Sequence, residues 1–277
     1  MALKLIYITK DPAVALIAEQ YGVDRIMVDL ETMGKEERQK GLNTVKSHHT
    51  VADVKTISGV LTSAETLVRI NPWHNGSPNE IEATLAAGAQ RIMLPMWKTP
   101  EEVNAFLRTV NKRVPTTLLL ETKEAVDCVD TVLTHPDLDE IHIGLNDLHL
   151  SYGMTFMFEP LADGTVERLC EKFCSAGISY GFGGIARIGE GTLPAERIAM
   201  EHYRLGSSVV ILSRSFCNAE QIGDLSCIAQ IFRENMQKLR NTESAMKNKS
   251  PEDYKNNRTQ VIHCVEQIVR SIKESRP

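Results

Sequence analysis

Eight times between residues 3 and 213, a short run of aliphatic residues gives way to a segment with helical periodicity, and the units recur about every 25–30 residues. Two parallel strands can be joined only by a crossover of a dozen or more residues, usually a helix. The alternation therefore reads as repeated βα units, not hairpins. The strand-like runs are 3–9, 25–30, 66–71, 91–96, 116–121, 140–147, 179–185 and 207–213. Local punctuation agrees with this reading. Thr50 suits an N-cap for a helix over 51–61, Gly88 closes a helix over 78–87, and Thr99-Pro100 opens another with proline in the first turn. Eight such units predict an α/β chain of the (β/α)8 TIM-barrel class in preference to a doubly wound sheet.

In such a barrel, chemistry gathers at the carboxyl ends of the strands, and here four runs end in charge. Met27-Val28-Asp29-Leu30-Glu31 delivers two acids, Leu67-Val68-Arg69-Ile70-Asn71 an arginine, and Thr117-Leu118-Leu119-Leu120-Glu121 an acid. With a sixth strand running on to residue 147, Ile143, Leu145 and Asp147 share a face, and Asp147 stands at the mouth beside Glu121. Two carboxylates plus waters suit Mg²⁺ or Mn²⁺, which take few protein ligands and leave positions open for substrate oxygens. Arg69, on a nearby strand, offers a fork for a carboxylate or an oxyanion. A divalent metal ion beside an arginine is equipment for a 2-oxo acid, whose enolate it stabilises when a neighbouring carbon–carbon bond breaks. Gly144, just before this acid, either lets main-chain N–H groups approach a ligand carboxylate or eases strand–helix packing.

Charge and hydropathy exclude other classes of partner. A formal net charge of −5 leaves no basic stripe for nucleic acid or an anionic membrane. No stretch approaches the roughly 20 apolar residues of a membrane span, and the opening apolar run is too short for a signal peptide, so the cytoplasm is expected. The six cysteines are scattered without a CxxC pair. Cys170 and Cys174, four apart, share one helix face and are read as small buried hydrophobes.

The runs Val28-Asp29-Leu30-Glu31, Leu67-Val68-Arg69-Ile70-Asn71, Leu94-Pro95-Met96, Leu120-Glu121-Thr122 and Gly144-Leu145-Asn146-Asp147-Leu148 occur in this order. Together they resemble the HpcH/HpaI aldolase and citrate lyase β-subunit family of the phosphoenolpyruvate/pyruvate barrel superfamily, over residues 24–218. The resemblance implies that Glu121 and Asp147 bind the divalent metal and that Arg69 contacts the substrate and its developing enolate. It also implies that amides along Gly144, Leu145, Asn146 and Asp147 hold the pyruvate carboxylate, while Asp29 and Glu31 shape the metal–water network. One position departs from the pattern. Where the aldolase branch carries a histidine that serves as base, this chain has Thr32, and the extra acid of the citrate lyase branch is missing as well. Candidate replacements are His48, His49, His142 and His149. Alternation along a strand that ends at Asp147 puts His142 on the opposite side, toward the outer helices.

The expected activity is that of a metal-dependent aldolase-type carbon–carbon lyase acting on a pyruvate- or oxaloacetate-derived 2-oxo acid. A rival reading is an acyl-CoA lyase or thioesterase. For that reading, the turn Gly181-Phe182-Gly183-Gly184 and Arg187 would hold a phosphate or a CoA-like anion. The same glycines also suit plain backbone packing. A second rival is a catalytically silent barrel that binds a metabolite.

Residues 1–243 are assigned to the catalytic barrel and 244–277 to a C-terminal helical extension. A polar, lysine-rich connection over 241–251 leads to a helix whose Val261, Ile262, Val265, Ile268, Val269 and Ile272 form an apolar stripe. The stripe packs on its own barrel or on a neighbour. The reach of the connection favours the neighbour, and hence a homo-oligomer, a trimer or hexamer.

Overall fold

The structure is a computed structural model that describes residues 2–34 and 49–275. Strands β1 (Lys4–Ile8), β2 (Arg25–Asp29), β3 (Glu65–Arg69), β4 (Arg91–Leu94), β5 (Thr116–Leu120), β6 (Glu140–Ile143), β7 (Ser179–Ile185) and β8 (Val209–Leu212) pair in parallel and in sequence order, and β8 pairs back onto β1. Helices α1 (Pro12–Gln20), α2 (Val51–Val60), α3 (Ser77–Ala86), α4 (Pro100–Val110) and α5 (Lys123–Val132) follow the first five strands. Three helices follow β6: α6 (Leu145–Ser151), α7 (Glu159–Ala162) and α8 (Thr165–Ser175). Then come α9 (Ala195–Arg204) after β7, α10 (Ala219–Ile222) and α11 (Leu225–Met246) after β8, and last α12 (Pro251–Glu274). The expected (β/α)8 barrel with an added C-terminal helix is the fold observed.

Side-chain caps set where the helices begin. Asp11 accepts from the Ala13 and Val14 amides, Thr99 from that of Glu102 and Thr122 from that of Ala125. Thr50 and Asp53 form a reciprocal capping box. Between the strands and the helices lies one continuous apolar layer, which includes Val28, Val68, Ile92, Leu118 and Ile141.

Inside the barrel, residues stack in layers. Ile6, Met27, Leu67, Met93, Leu119 and Val209 fill the middle. Beneath them sits an ionic layer that crosses the barrel. Arg25 Nη1 lies 2.7 Å from Glu140 and its Nε 2.7 Å from Glu65, while Arg91 Nε is 3.0 Å from Glu65. The buried charges of Arg25, Arg91 and Glu140 are tolerated there because each faces its opposite and is hydrogen-bonded. Above the apolar layer, the strand ends of β2, β3 and β5 carry the acids and the arginine toward the mouth.

The structure corrects three expectations. Strand six stops at Ile143, and Asp147 belongs to the first turn of α6. The parallel register pairs Thr117 with Glu140 and Leu119 with His142, so His142 faces the barrel interior and not the outer helices. The polar connection near residue 245 is helical as far as Met246, leaving only residues 247–250 between α11 and α12. The division at 243/244 therefore falls inside α11. Its Glu243 is buried there, accepting from the Leu3 amide and the Tyr203 hydroxyl at 2.8 and 2.9 Å. With so short a connection, α12 folds back on its own chain. Asn257 bonds the Arg197 carbonyl and Glu201, Arg258 pairs with Glu167, and Val261 and Val265 are buried. Among the described residues, no helix is long and apolar enough to cross a membrane.

Candidate active site

Arg69 closes β3 with its guanidinium committed on one edge. Nε and Nη2 donate to the two carboxylate oxygens of Asp29, each at 2.8 Å, and Glu31 Oε2 lies 3.4 Å from Nε. Burial works against the positive charge, yet Asp29 and then Glu31 outweigh it, so the pKa rises and Arg69 is permanently cationic. The fork expected to grip a substrate carboxylate is thus occupied by Asp29. Nη1 remains, with no hydrogen bond among the described residues. The two acids are themselves positioned from β3. The Leu30 amide donates to the Arg69 carbonyl at 2.8 Å. Asn71 Oδ1 accepts from the Thr32 and Met33 amides at 2.9 and 3.0 Å, and its Nδ2 donates to Glu80 at 2.8 Å. The Thr32 hydroxyl also turns to Asn71 Oδ1, at 3.3 Å. Thr32 is therefore part of the loop's scaffold.

Across the mouth, Glu121 follows β5 and is only 3% exposed. Its Oε1 accepts from the Met96 amide at 3.1 Å. Its Oε2 occupies the space that a side chain at position 144 would need, because a Cβ built on Gly144 would stand 2.7 Å from it. This is a physical reason for Gly144 beyond the two weighed from sequence: the glycine makes room for a carboxylate. Gly144 also N-caps α6 without any side-chain hydrogen bond, leaving Leu145 and Asn146 at the uncapped start of that helix and Asp147 in its first turn. Glu121 thus abuts the glycine from which the helix bearing Asp147 starts. Among the described residues, no group of three His, Cys, Asp or Glu side chains is gathered for a metal. A cation here would have two carboxylates and take its other ligands from water and substrate, a coordination that suits Mg²⁺. The donor set and its cradle fit such an ion.

A cavity of about 430 Å³ opens beside this group, between the ends of β8 and β1. Tyr7, Thr9, Lys10, Ser213, Arg214 and Asn218 line it, and it reaches Asp29, Arg69 and His49; Glu121 and Asp147 lie outside its lining. Arg69 links the two halves, since the Glu121 charge also acts on it. His49, just before α2, is 8% exposed, and its Nδ1 accepts the Asp29 amide hydrogen at 2.9 Å. Burial is the first cause holding its pKa below the usual histidine value; Asp29 opposes this shift and Lys10 reinforces it. Of the other candidate bases, His48 lies outside the described residues. His149 is buried, with Nδ1 3.3 Å from the Leu145 carbonyl. His142 is fully enclosed, with Nε2 3.0 Å from the Gly183 carbonyl.

Arg187 does not join the group. Its Nε donates to the Phe216 carbonyl at 2.8 Å, and Nη1 lies 3.5 Å from Glu190, so it ties the loop after β7 to the loop after β8. The glycines before it serve packing. A Cβ on Gly181 would collide with the Val209 carbonyl and His142, and one on Gly183 with Leu145. Of the cysteine pair, Cys170 is buried and Cys174 exposed, and both are free.

Sequence comparison matches the model of the HpcH/HpaI aldolase/citrate lyase family to residues 5–159, more than half of the 277-residue chain. No individual curated protein matches the chain. Among solved structures, an HpcH/HpaI aldolase from Desulfitobacterium hafniense DCB-2 superposes with a TM-score of 0.62 at 14% identity, over 82% of this chain and 93% of that one. The citrate synthase SbnG gives 0.60 at 17% identity, over 83% and 94%. The protein CitE from Mycobacterium tuberculosis, in complex with magnesium and acetate, gives 0.55 at 15% identity, over 89% and 98%. At such identities the structural likenesses establish a shared fold, while the sequence match extends from β1 into α7 and takes in Asp29, Arg69, Glu121 and Asp147. The chain belongs to the HpcH/HpaI aldolase/citrate lyase family.

Proposed function

We propose that this protein is a divalent-metal-dependent carbon–carbon lyase of the aldolase type, acting on a pyruvate- or oxaloacetate-derived 2-oxo acid. The observation that carries the reading is the cradle around Glu121. The chain omits a side chain at position 144 and so seats a nearly buried carboxylate at the barrel mouth, next to the helix that bears Asp147. The CitE structure, which holds magnesium and acetate on the same fold, supports a divalent ion and a carboxylate as the ligands. Glu121 and Asp147 would hold a divalent ion, which when bound would supply Lewis acidity toward substrate oxygens. Arg69, kept cationic by Asp29 and Glu31, offers Nη1 N–H groups to the oxygen that gathers enolate charge. The uncapped amides at the start of α6 serve the substrate carboxylate. Asn71 fixes the loop that carries Glu31 and so positions that acid beside Arg69.

The test uses two simple probes, oxaloacetate decarboxylation and exchange of solvent deuterium into the pyruvate methyl group, each set against an enzyme-free blank. The expected result is turnover that requires Mg²⁺ or Mn²⁺ and disappears in excess chelator. Absence of both reactions, or full activity in chelator, overturns the proposal.

A further inference from the structure

An aldolase site must hold two partners, the 2-oxo acid that becomes the enolate and the carbonyl compound it attacks. The features assigned above serve only the first. What adjoins them is the cavity between β8 and β1, which shares Arg69 and Asp29 with the charged cluster and excludes Glu121 and Asp147 from its lining. Its volume of about 430 Å³ lies within the range of small-molecule sites. Besides Asp29 and Arg69, its wall holds His49, whose Nδ1 is fixed by the Asp29 amide. The Asp29 backbone N–H can only donate, so at 2.9 Å His49 Nδ1 must be the unprotonated nitrogen. A neutral ring then carries its proton on Nε2, and burial keeps the ring neutral. This tautomer is unsuited to a base, because the nitrogen that could accept a proton is occupied by a main-chain amide.

Resting on the lyase reading above, we infer that this cavity is the subsite for the carbonyl acceptor and that His49 presents its Nε2–H there as a hydrogen-bond donor to the acceptor oxygen. In the addition direction, the enolate carbon forms a bond to the carbonyl carbon and the C=O π pair moves onto the oxygen. His49 stabilises that developing alkoxide, which then takes its proton from water. In the cleavage direction the hydroxyl first gives its proton to water, the resulting alkoxide collapses to the carbonyl, the carbon–carbon bond breaks, and its pair returns to the 2-oxo half as enolate. His49 supplies no proton in either direction. A neutral donor thus stands in a cavity wall of a chain whose Thr32 hydroxyl is engaged by Asn71.

The experiment has a spectroscopic arm and a kinetic arm, both on the full chain with Mg²⁺. Nitrogen-15 NMR of labelled histidine, with His49 assigned from its loss in His49→Gln, is expected to show the Nε2-protonated tautomer at pH 7. An Nδ1-protonated or doubly protonated ring overturns the inference. Addition of pyruvate to glyoxylate as probe acceptor is then compared across variants. His49→Ala should lose about a hundredfold in kcat/KM, the scale of one oxyanion donor. His49→Gln, which keeps an acceptor for Asp29 and a donor for the ligand but cannot titrate, should stay within about tenfold of wild type. Equal, large losses in both variants indicate a proton-transferring base and overturn the inference, as does wild-type rate in His49→Ala. Oxaloacetate decarboxylation without any addition to glyoxylate overturns the acceptor subsite alone, whereas loss of decarboxylation and deuterium exchange together overturns the lyase reading beneath it.

Discussion

At the scale of single residues, the site depends as much on a missing side chain as on those present. Glu121 and Asp147 carry the charge, and Gly144 leaves the space for the first of them. Glu121→Gln and Asp147→Asn keep volume and remove charge, so each should leave a folded protein whose Mg²⁺ affinity falls at least about tenfold, or roughly 1.4 kcal/mol. Gly144→Ala should do the same without touching a ligand, because its Cβ would displace Oε2 of Glu121. Isothermal titration with Mg²⁺, read beside the melting temperature, checks all three. Undiminished affinity in the two charge variants would move the cation elsewhere. Glu121 and Arg69 were legible in the sequence because each ends an apolar strand in charge, a pattern that alternation alone resolves. Two residue-level facts were not. Nothing in the sequence says that Asp29 takes one whole edge of Arg69, or that His49 turns Nδ1 to the Asp29 amide, since both depend on contacts across 40 and 20 residues of chain.

At the scale of elements, β6 shows how a correct landmark can carry a wrong parity. Ile143 and Leu145 continue an alternating pattern across Gly144, yet Leu145 and Leu148 already have helical spacing, and α6 begins at Leu145. Asp147 reaches the mouth by a helix turn, so the inward residues of β6 are Glu140 and His142. That placement has a consequence for stability. His142 is enclosed in the barrel, and burial outweighs its contact with the Gly183 carbonyl to hold its pKa down at about 4. His202 on α9 stacks on Phe182 with ring centroids 3.8 Å apart, and burial, then His142, holds it down at about 3. Both rings are neutral in the folded state and take up a proton near 6.5 once unfolded. Because the unfolded chain binds more protons below that value, their contribution is intact above it. It is lost as pH falls toward about 4 for His142 and about 3 for His202. By pH 5 the loss should be roughly 2 kcal/mol per histidine. Urea unfolding between pH 7 and 5 checks this, and the slope should shrink in His202→Gln. A flat profile across that interval would show that the two rings are hydrated or already charged.

At the scale of the whole molecule, the barrel is closed at its base by ions, filled at its middle by aliphatic residues and charged at its mouth, and α12 braces one flank. The eight-unit architecture was legible because each strand run is bounded by turn or capping residues. The end of the chain was not, because α11 beyond Leu239 presents mostly polar residues outward while burying Glu243 and Met246, a mixture that reads as a linker. The resulting short connection brings α12 to α9, where its polar contacts are specific. Asn257, itself 2% exposed, satisfies Glu201, which is 1% exposed. Removing residues 251–277 would uncover the surface under Val261 and Val265 and deprive buried Glu201 of one partner. Two valines at about 1.5–3 kcal/mol each, plus the lost hydrogen bond, put the destabilisation on the order of 4 kcal/mol or more. The homo-oligomer we propose adds a second readout. Ile262, Ile268 and Ile272 on the same helix are only half-buried, which suits a face completed by a second copy. Sedimentation of the truncated chain should therefore show a smaller species together with a lower melting temperature. A lower melting temperature with unchanged sedimentation would assign α12 to its own barrel alone, and no change in either would remove it from the stability of the fold.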